Sequence, residues 1–381
     1  MGAMTTVAVL KETAEGERRV ALVPDVAQRL LAAGLELRVQ AGAGERAHFG
    51  DDEYAAQGVQ AVDGLGTLLA DARVVLKVRS PLVDEVAALP AGAALISFLP
   101  PNEHEVVSRL AERGVTAFSL DLLPRITRAQ SMDALSSQAT VAGYRAALIA
   151  AGRLGVFLPM LTTAAGTVPP AKVLVLGAGV AGLQAIATIR RLGGVVSAHD
   201  VRPASREEVE SLGARFVDLG LDSQEGAGGY AREQSAERLA RQRELLADEI
   251  ARSDAVISTA AVPGRPAPLL ITREMVEGMK PGSVIVDLAA ESGGNCELSK
   301  PGVEVVHGDV LIYGALDVAS SMPTHASQLL ARNVANLLLL MIEDGEFAPD
   351  FDDTIVSGAC VARDGEVVHP AVLSGARETS A

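Results

Sequence analysis

Short runs of apolar, largely β-branched residues recur along the first third of the chain, separated by stretches with helical periodicity. The runs predict buried strands at residues 5–10, 35–40, 72–78, 93–99 and 114–120. Residues 24–34 and 102–114 carry apolar positions at helical spacing and predict helices. Because strands that alternate with helices form parallel sheets covered on both faces, the pattern predicts an α/β domain.

A second alternating series follows a long helical pattern at residues 134–152. Its apolar runs predict strands at residues 172–177, 194–200, 214–219, 254–260, 282–289 and 303–308. A helix at 325–345 and a hairpin with an Asp364-Gly365 turn close the chain. The predicted fold class is α/β, with two doubly wound, Rossmann-like parallel-sheet domains. Residues 1–133 and 315–381 form the first, and residues 134–314 are inserted as the second.

Two segments interrupt this regular pattern. Residues 154–171 are apolar and contain three prolines, which predicts an exposed hairpin that a second subunit covers in a homodimer. Residues 220–244 form an unusually long polar connection. Its first half, 220–235, is rich in Gly and predicts a mobile loop with a function, because long loops in compact domains are usually functional.

Composition narrows the class of protein. Hydrophobic residues make up 49% of the 381 positions, so the chain can bury a core. The net charge of −15 argues against nucleic-acid binding and against direct insertion into a membrane or binding to its surface. Cys296 and Cys360 do not have the spacing of metal ligands, so we predict no metal site. Two cysteines are also too few for a disulfide framework, which fits a protein of the reducing cytosol. No secretory signal opens the chain, and the long apolar run at 173–189 is broken by glycines, which predicts a soluble protein.

The sequence VLVLGAGVAGLQ carries a dinucleotide-binding pattern. Gly177, Gly179 and Gly182 follow a predicted strand and open a predicted helix, as the GxGxxG motif requires. Asp200 ends the next strand, where a carboxylate can accept hydrogen bonds from the adenosine ribose. That acid would repel a 2′-phosphate and so favours NAD(H), although Arg202 could pair with such a phosphate.

The sequence LPRITRAQSMDALSSQ (123–138) concentrates polar side chains in an otherwise apolar region. Arg125, Arg128, Gln130, Asp133 and Ser136 supply many hydrogen-bonding groups away from the glycine turn. Such a set could position the amide and ribose of a cofactor. Alternatively, Asp133 could simply cap the following helix, and Arg125 could be a solvated surface cation.

The chain resembles a known family over essentially its whole length. The sequences that carry the resemblance are PRITRAQSMDALSSQ, TAAGTVPPAKVLVLGAGVAGLQ, GGYA (228–231), VPGRPAP (262–268), MKPGSVIVDLA (279–289) and GGNC (293–296). They resemble the NAD(H)-binding alpha subunit of proton-translocating NAD(P) transhydrogenase. Alanine dehydrogenase is a more distant resemblance, through the sequences ERRVALVPD and VVLKV.

The resemblance implies an enzyme that works only with a partner. Hydride would pass directly between NADH on this chain and NADP⁺ on an NADP(H)-binding subunit, coupled to proton translocation by a membrane subunit. Because no membrane helices follow, the chain resembles the split, soluble form. It would then be cytoplasmic and peripheral at the inner face of the membrane through its partners.

The resemblance also assigns roles to residues. Arg125 would pair with Asp133 and the cofactor, Asp133 and Ser136 would reach the carboxamide, and Gln130 would point towards the partner's nucleotide. The implied cofactor contacts lie in the polar loop, at the glycine turn, after the next strand and beyond it: Arg125, Ile126, Thr127, Gln130, Asp133 and Ser136; Gly177, Gly179, Val180 and Gly182; Asp200, Val201 and Arg202; and Gly229, Tyr230, Gln242 and Ala261.

Two other functions are open to such a chain. An amino-acid dehydrogenase like alanine dehydrogenase would use Arg19 and Lys77 for its substrate, but it also needs an acid or base. In alanine dehydrogenase a strand at this place delivers a catalytic histidine. The corresponding strand of this chain has no histidine, and Leu99 lies near the expected position. A non-catalytic NAD-binding regulatory module is the other alternative, although it would not need the complete polar loop.

Overall fold

A computed structural model describes residues 4–221, 235–261 and 266–379. Contacts divide the chain into two compact units, with Met1–Gln138 and Ser320–Ala381 in unit 1 and Ala139–Ala319 in unit 2. Each boundary therefore falls a few residues beyond the one predicted. The first turn of the long central helix belongs to unit 1 because Ala134 lies in its core and Gln138 donates to the carbonyl of Ala326 at 3.0 Å.

Unit 1 begins with a strand–helix alternation. Its elements are β1 (Thr6–Val9), α1 (Pro24–Ala32), β2 (Glu36–Gln40), α2 (Asp51–Ala56), β3 (Gln60–Val62), α3 (Leu65–Leu69), β4 (Val74–Leu76), α4 (Val83–Ala88), β5 (Ala94–Ser97), α5 (His104–Glu112) and β6 (Thr116–Ser119). A 3-10 helix at Thr127–Met132 then leads to α6 (Ala134–Arg153). All the predicted strands are present, whereas β3 and the short helices α2, α3 and α4 were missed because they are too brief to show a period.

Unit 2 carries the second alternation. Its elements are β7 (Leu161–Thr163), β8 (Gly166–Val168), β9 (Lys172–Leu176), α7 (Val180–Arg191), β10 (Val195–His199), α8 (Ser205–Ser211), β11 (Arg215–Phe216), α9 (Ala236–Arg252), β12 (Ala255–Ser258), α10 (Arg273–Glu277), β13 (Val284–Asp287), β14 (Glu304–His307) and β15 (Val310–Gly314). The sheet order is β11-β10-β9-β12-β13-β15-β14. The strand order therefore reverses between β9 and β12, the place where such sheets bind ligands.

One strand of unit 2 differs from the parallel series that the sequence predicts. β14, predicted at 303–308, runs antiparallel to β15 at the edge of the sheet, and β15, which the sequence did not predict, is the parallel neighbour of β13. The predicted hairpin at 154–171 is also shorter, since only β7 and β8 pair. Prolines and exposed apolar residues occupy the remainder of that segment.

The chain returns to unit 1 for its last elements. These are α11 (Pro323–Leu340), β16 (Ile342–Glu343), β17 (Glu346–Phe347), α12 (Thr354–Ala359), β18 (Cys360–Arg363), β19 (Glu366–Val367) and α13 (Pro370–Thr379). The main sheet has the order β19-β18-β6-β5-β4-β1-β2-β3, and β18 joins it antiparallel to β6. The predicted Asp364-Gly365 turn is confirmed, with φ of 54° and 83° at its two residues.

The central strands of each sheet are buried along their whole length, as expected for parallel strands with helices on both faces. The α/β prediction with two Rossmann-like sheets is therefore confirmed. Among the described helices, none combines the length and the apolar character needed to cross a membrane.

Candidate functional site

The glycine turn of unit 2 lies at the reversal point of its sheet. Gly177 follows β9 with a φ of 93°, and a Cβ there would lie 2.7 Å from Oγ1 of Thr259, just after β12. A Cβ on Gly182 would overlap the carbonyl oxygen of Gly177, so α7 can approach β9 only because this residue is glycine. These are the close-packing roles that the first and third glycines of the motif require.

The middle glycine behaves differently. Gly179 is the N-cap of α7, and a Cβ there would have no protein atom within 4 Å. Val180 opens the helix and is 41% exposed. The protein's own packing therefore does not demand glycine at 179, and the turn leaves open space beside the helix N-terminus. The turn fits a pyrophosphate, because N–H groups in the first turn of a helix bind phosphate oxygens.

Asp200 carries the acid that the motif requires. Its carboxylate accepts hydrogen bonds from the backbone N–H of Ala178 at 2.7 Å and from the backbone N–H of Arg202 at 2.9 Å. The Arg202 guanidinium adds bonds at 2.9 Å to both carboxylate oxygens. Burial alone would raise the pKa of Asp200, but the bonds and charge of Arg202 outweigh it and lower the pKa. The acid stays ionised and ties the glycine turn to the end of β10, beside the half-buried Val201.

Gln242 lies in a buried polar contact on α9. It is 2% exposed, and its Nε2 lies 3.0 Å from Nε2 of His199. Nδ1 of that histidine lies 2.9 Å from the carbonyl of Val217, so Nδ1 must carry a proton and Nε2 accepts from Gln242. Burial lowers the pKa of His199, which keeps the ring neutral. The contact between Gln242 and His199 thus holds the end of β10.

The remaining predicted contacts of unit 2 divide into two groups. Ala261 is exposed at the end of a described segment, next to Ala260. Gly229 and Tyr230 lie outside the described residues. The contact of Ala261 with a cofactor therefore stays a prediction, as do those of the other two residues.

Sequence reasoning missed residues that shape this turn. Oγ1 of Thr259 donates to the carbonyl of Gly177 at 3.0 Å. A Cβ on Gly143 of α6 would overlap the carbonyl oxygen of Ala181, so that helix packs against the first turn of α7. A glycine inside a helix costs about 1 kcal/mol of stability relative to alanine. An unfavourable residue in the predicted helix 134–152 could therefore have indicated the close packing at Gly143. Thr259 had no such signal, because its partner is distant in sequence.

A buried carboxylate and an amide brace the next loop of unit 2. Asp287 is wholly buried and accepts from the Oγ of Ser258 and from the backbone N–H groups of Asn295 and Cys296. The Asn295 side chain bonds both the N–H and the carbonyl of Ala260. The GGNC sequence is therefore a support for the segment that leads to Ala261.

In unit 1, the polar loop places its carboxylate at the start of α6. Asp133 accepts from the backbone N–H of Ser136 at 2.8 Å and from the Oγ of the same residue at 2.6 Å. The capping interpretation of Asp133 is thus correct as far as local structure goes. Capping does not exclude ligand binding, since Asp133 and Ser136 are each only partly buried.

The other predicted residues of this loop face outwards. Arg125, Ile126, Thr127 and Gln130 are all exposed, while Ala129 and Met132 are buried in the core of unit 1. The pairing of Arg125 with Asp133 stays a prediction. Arg128 behaves differently from its neighbours, because its guanidinium binds both carboxylate oxygens of Asp353, at 2.6 and 2.9 Å. It fixes the loop to α12.

A second polar cluster of unit 1 lies where its own sheet order reverses, between β1 and β4. Lys77 is 2% exposed and its Nζ lies 3.0 Å from Glu12 and 3.3 Å from Glu85. Arg19 binds both carboxylate oxygens of Glu17, at 2.8 and 2.7 Å. Both cations that could hold an amino-acid substrate are therefore engaged by carboxylates.

No histidine stands at the end of β5, in agreement with the sequence. Leu99 is fully buried there, and its backbone N–H donates to Oδ2 of Asp121 at 2.7 Å. Burial raises the pKa of Asp121 to about 6. Within the described residues of the chain, no cluster of His, Cys, Asp and Glu has the makings of a metal site.

Family models match both halves of the chain. The alanine dehydrogenase/PNT C-terminal domain matches residues 146–370, and the corresponding N-terminal domain matches residues 8–142. The family is one of NAD(P)-binding oxidoreductases, so a nucleotide cofactor belongs with this fold.

Individual relatives agree with the family models. A chain of Rhodospirillum rubrum, named as the first section of NAD(P) transhydrogenase subunit alpha, is 47% identical over 96% of this chain and 98% of its own length. The crystal structure of a transhydrogenase from Sinorhizobium meliloti superimposes with a TM-score of 0.84 and 44% identity, covering 96% of this chain and 99% of that one. Alanine dehydrogenase of Halomonas elongata is 31% identical over 96% of this chain and 95% of its own. The chain therefore belongs to the alanine dehydrogenase/PNT family and, within it, to the NAD(P) transhydrogenase alpha subunits.

Proposed function

We propose that this chain is the NAD(H)-binding subunit of a proton-translocating transhydrogenase. Hydride passes directly between NADH held here and NADP⁺ held on a separate NADP(H)-binding subunit, and a membrane subunit couples this transfer to proton movement. The chain itself is cytoplasmic and lies at the inner face of the membrane through these partners. The name of the Rhodospirillum rubrum relative, which numbers it as one section of subunit alpha, supports a division into several polypeptides.

The observation that carries the proposal is the polar loop of unit 1. Its base is held by two side-chain contacts, of Arg128 with Asp353 and of Ser136 with Asp133. From this base the polar side chains of Arg125 and Gln130 are exposed. Hydride transfer between two nicotinamides moves no proton to or from a heteroatom, so it requires positioning and the exclusion of water rather than an acid or base. The loop supplies donors and acceptors for such positioning.

Unit 2 supports NAD(H) as the resident cofactor. Gly177, Gly179, Val180 and Gly182 would hold the pyrophosphate, and Asp200 would accept from the ribose hydroxyls. The ionised carboxylate also disfavours a 2′-phosphate, which supports NAD(H) on this chain and NADP(H) on the partner. Bound NADH supplies the hydride.

A mixing experiment tests the proposal. The chain is added to a transhydrogenase NADP(H)-binding subunit with NADH and an NADP⁺ analogue whose reduced form absorbs at a distinct wavelength. We expect transfer that needs both proteins and is strongly reduced in Gln130→Asn and Asp133→Asn. Gln60→Asn, at an exposed glutamine on β3, is the matched control. NADH binding without transfer at any partner concentration would reject the proposal.

Alanine dehydrogenase activity is the second candidate, because Arg19 and Lys77 are both present. The ion pairs of Lys77 with Glu12 and Glu85 weigh against it, since a lysine enclosed by two carboxylates is poorly placed to bind a substrate anion. L-alanine with NAD⁺ is therefore assayed in parallel. Oxidation of alanine by the chain alone would favour this second function.

The hairpin segment of unit 2 supports a homodimer. Val156, Phe157 and Met160 are 53%, 57% and 63% exposed, next to the short β7–β8 hairpin. Clusters of exposed apolar residues of this kind mark interfaces. We expect a dimer by light scattering and a shift towards monomer in Phe157→Asp. Val306→Asp, at a residue of the same unit that is 66% exposed, is the control that leaves the dimer intact.

A further inference from the structure

An asparagine on α11 contacts the polar loop of unit 1. Asn333 is 7% exposed and lies on α11 among the buried apolar residues Leu330, Val334 and Leu337. Burying an amide is costly unless each of its groups finds a partner, so a polar residue here requires an explanation.

Both ends of the amide bond the loop. Its Nδ2 donates to the backbone carbonyl of Ser131 at 2.9 Å, and its Oδ1 accepts from the Oγ of Ser137 at 2.7 Å. The carbonyl can only accept, which fixes the orientation of the amide. The contacts lie 202 and 196 residues apart in sequence, so they join two distant segments of unit 1.

The two anchored residues are direct neighbours of candidate hydride-transfer residues. Ser131 directly follows Gln130, and Ser137 directly follows Ser136, with Asp133 between them. One side chain of α11 thus holds the loop backbone at Ser131, next to Gln130, and the Ser137 hydroxyl, next to Ser136. Asn336, one turn further on, donates to the same Ser131 carbonyl at 2.8 Å and reinforces this hold.

We propose that Asn333 is a positioning residue for hydride transfer, acting through Ser131 and Ser137 on Gln130, Asp133 and Ser136. This inference rests on the proposed function. It adds a residue of α11 that touches neither nucleotide and yet sets the transfer rate. Because transfer depends steeply on the distance and angle between the reacting atoms, a loosened loop slows the reaction more than it weakens NADH binding.

A second buried polar residue of α11 provides the matched control. Ser327 is fully buried, and its Oγ accepts from the backbone N–H of Val20 at 3.0 Å, a residue that is not part of the loop. Asn333→Ala removes both hydrogen bonds of the buried amide to the loop, and Ser327→Ala leaves the buried backbone N–H of Val20 without this acceptor, so both should lower the melting temperature. Only the first removes the support of the loop.

The experiment measures three quantities on the full chain: the single-turnover rate with the NADP(H)-binding subunit, the dissociation constant for NADH, and hydrogen–deuterium exchange of residues 127–137. For Asn333→Ala we expect a rate lower by about tenfold or more, an NADH dissociation constant changed less than about threefold, and faster exchange in the loop. For Ser327→Ala we expect a wild-type rate and wild-type exchange in the loop.

The outcomes separate this inference from the proposed function. If the wild-type chain transfers no hydride, the proposed function fails, and the exchange measurement still decides whether Asn333 holds the loop. Equal rates for the two variants, or unchanged exchange at residues 127–137 in Asn333→Ala, would overturn the positioning role. In the double variant with Ser137→Ala, the loss should be less than the product of the single losses, because the two residues share one link.

Discussion

The guanidinium of Arg202 binds both carboxylate oxygens of Asp200, at 2.9 Å each, just beyond the carboxyl end of β10. The arginine that could have paired with a 2′-phosphate is therefore already paired with an acid. A bidentate pair fixes the orientation of both side chains and balances their charges, so Asp200 limits the ability of Arg202 to bind a phosphate.

Removing the acid should release the arginine towards NADP(H). In Asp200→Ser we expect the preference for NADH over NADPH to fall by about tenfold or more, which corresponds to about 1.4 kcal/mol. Titration of the two reduced nucleotides by fluorescence measures the ratio. The double variant with Arg202→Ala should bind NADH weakly and gain nothing for NADPH. An unchanged ratio in the single variant would show that Arg202 does not face the ribose.

The glycines of the turn should separate folding from binding. Alanine at Gly182 would overlap the carbonyl of Gly177, so Gly182→Ala should lower the free energy of unfolding by about 1–3 kcal/mol. Alanine at Gly179 meets no protein atom within 4 Å, and the φ of −74° is allowed to any residue. We therefore expect Gly179→Ala to change stability by less than about 1 kcal/mol.

In contrast to its small effect on stability, Gly179→Ala should have a large effect on NADH binding. Its Cβ would occupy the open space beside the N-terminus of α7, so NADH affinity should fall by about tenfold or more. Urea unfolding and NADH titration of the two variants provide the comparison. Wild-type NADH affinity in Gly179→Ala would mean that the pyrophosphate does not bind at this turn.

Local spacing explains what the sequence predicted. The glycine motif, Asp200 after the next strand and Asp133 at a helix start are each defined by positions within a few tens of residues. The partners of Arg128, Thr259 and Asn333 lie 82 to 225 residues away in sequence, and no local pattern encodes such contacts. β14 was placed correctly, but its antiparallel direction depends on a tight turn at Gly308 that periodicity does not show.

The buried pair of Glu17 and Arg19 should make stability depend on acid pH. Burial would raise the pKa of Glu17, but hydrogen bonds and charge from Arg19 lower it from 4.5 to about 2. A carboxyl with a depressed folded pKa contributes stability above its unfolded pKa, and this contribution is lost as the pH falls from about 4.5 to about 2. Glu17→Gln should therefore cost about 3 kcal/mol at pH 7.

Denaturant unfolding across that range provides the measurement. The difference between wild type and Glu17→Gln should shrink steadily below about pH 4.5. Glu15→Gln, at an exposed neighbour in the same segment, should differ little from wild type at any pH. A difference for Glu17→Gln that stays constant down to pH 2 would contradict an ionised, paired Glu17.

Asp121 should have the opposite pH dependence. Burial, with a smaller contribution from Glu103, raises the pKa of Asp121 to about 6, although the N–H of Leu99 donates to its carboxylate. A carboxyl whose folded pKa is raised binds more protons in the folded state, so its contribution to stability is complete below about pH 3.8 and is lost as the pH rises through about 6.

An asparagine at position 121 keeps an acceptor for the N–H of Leu99 and carries no charge. Asp121→Asn should therefore stabilise the protein above pH 6 by up to about 3 kcal/mol. Urea unfolding at pH 5 and pH 8, with exposed Asp63→Asn as the control, should show a gain for Asp121→Asn that is about twice as large at pH 8 as at pH 5. An equal effect at both values would mean that Asp121 is ionised throughout, and that the end of β6 accommodates a buried charge without cost.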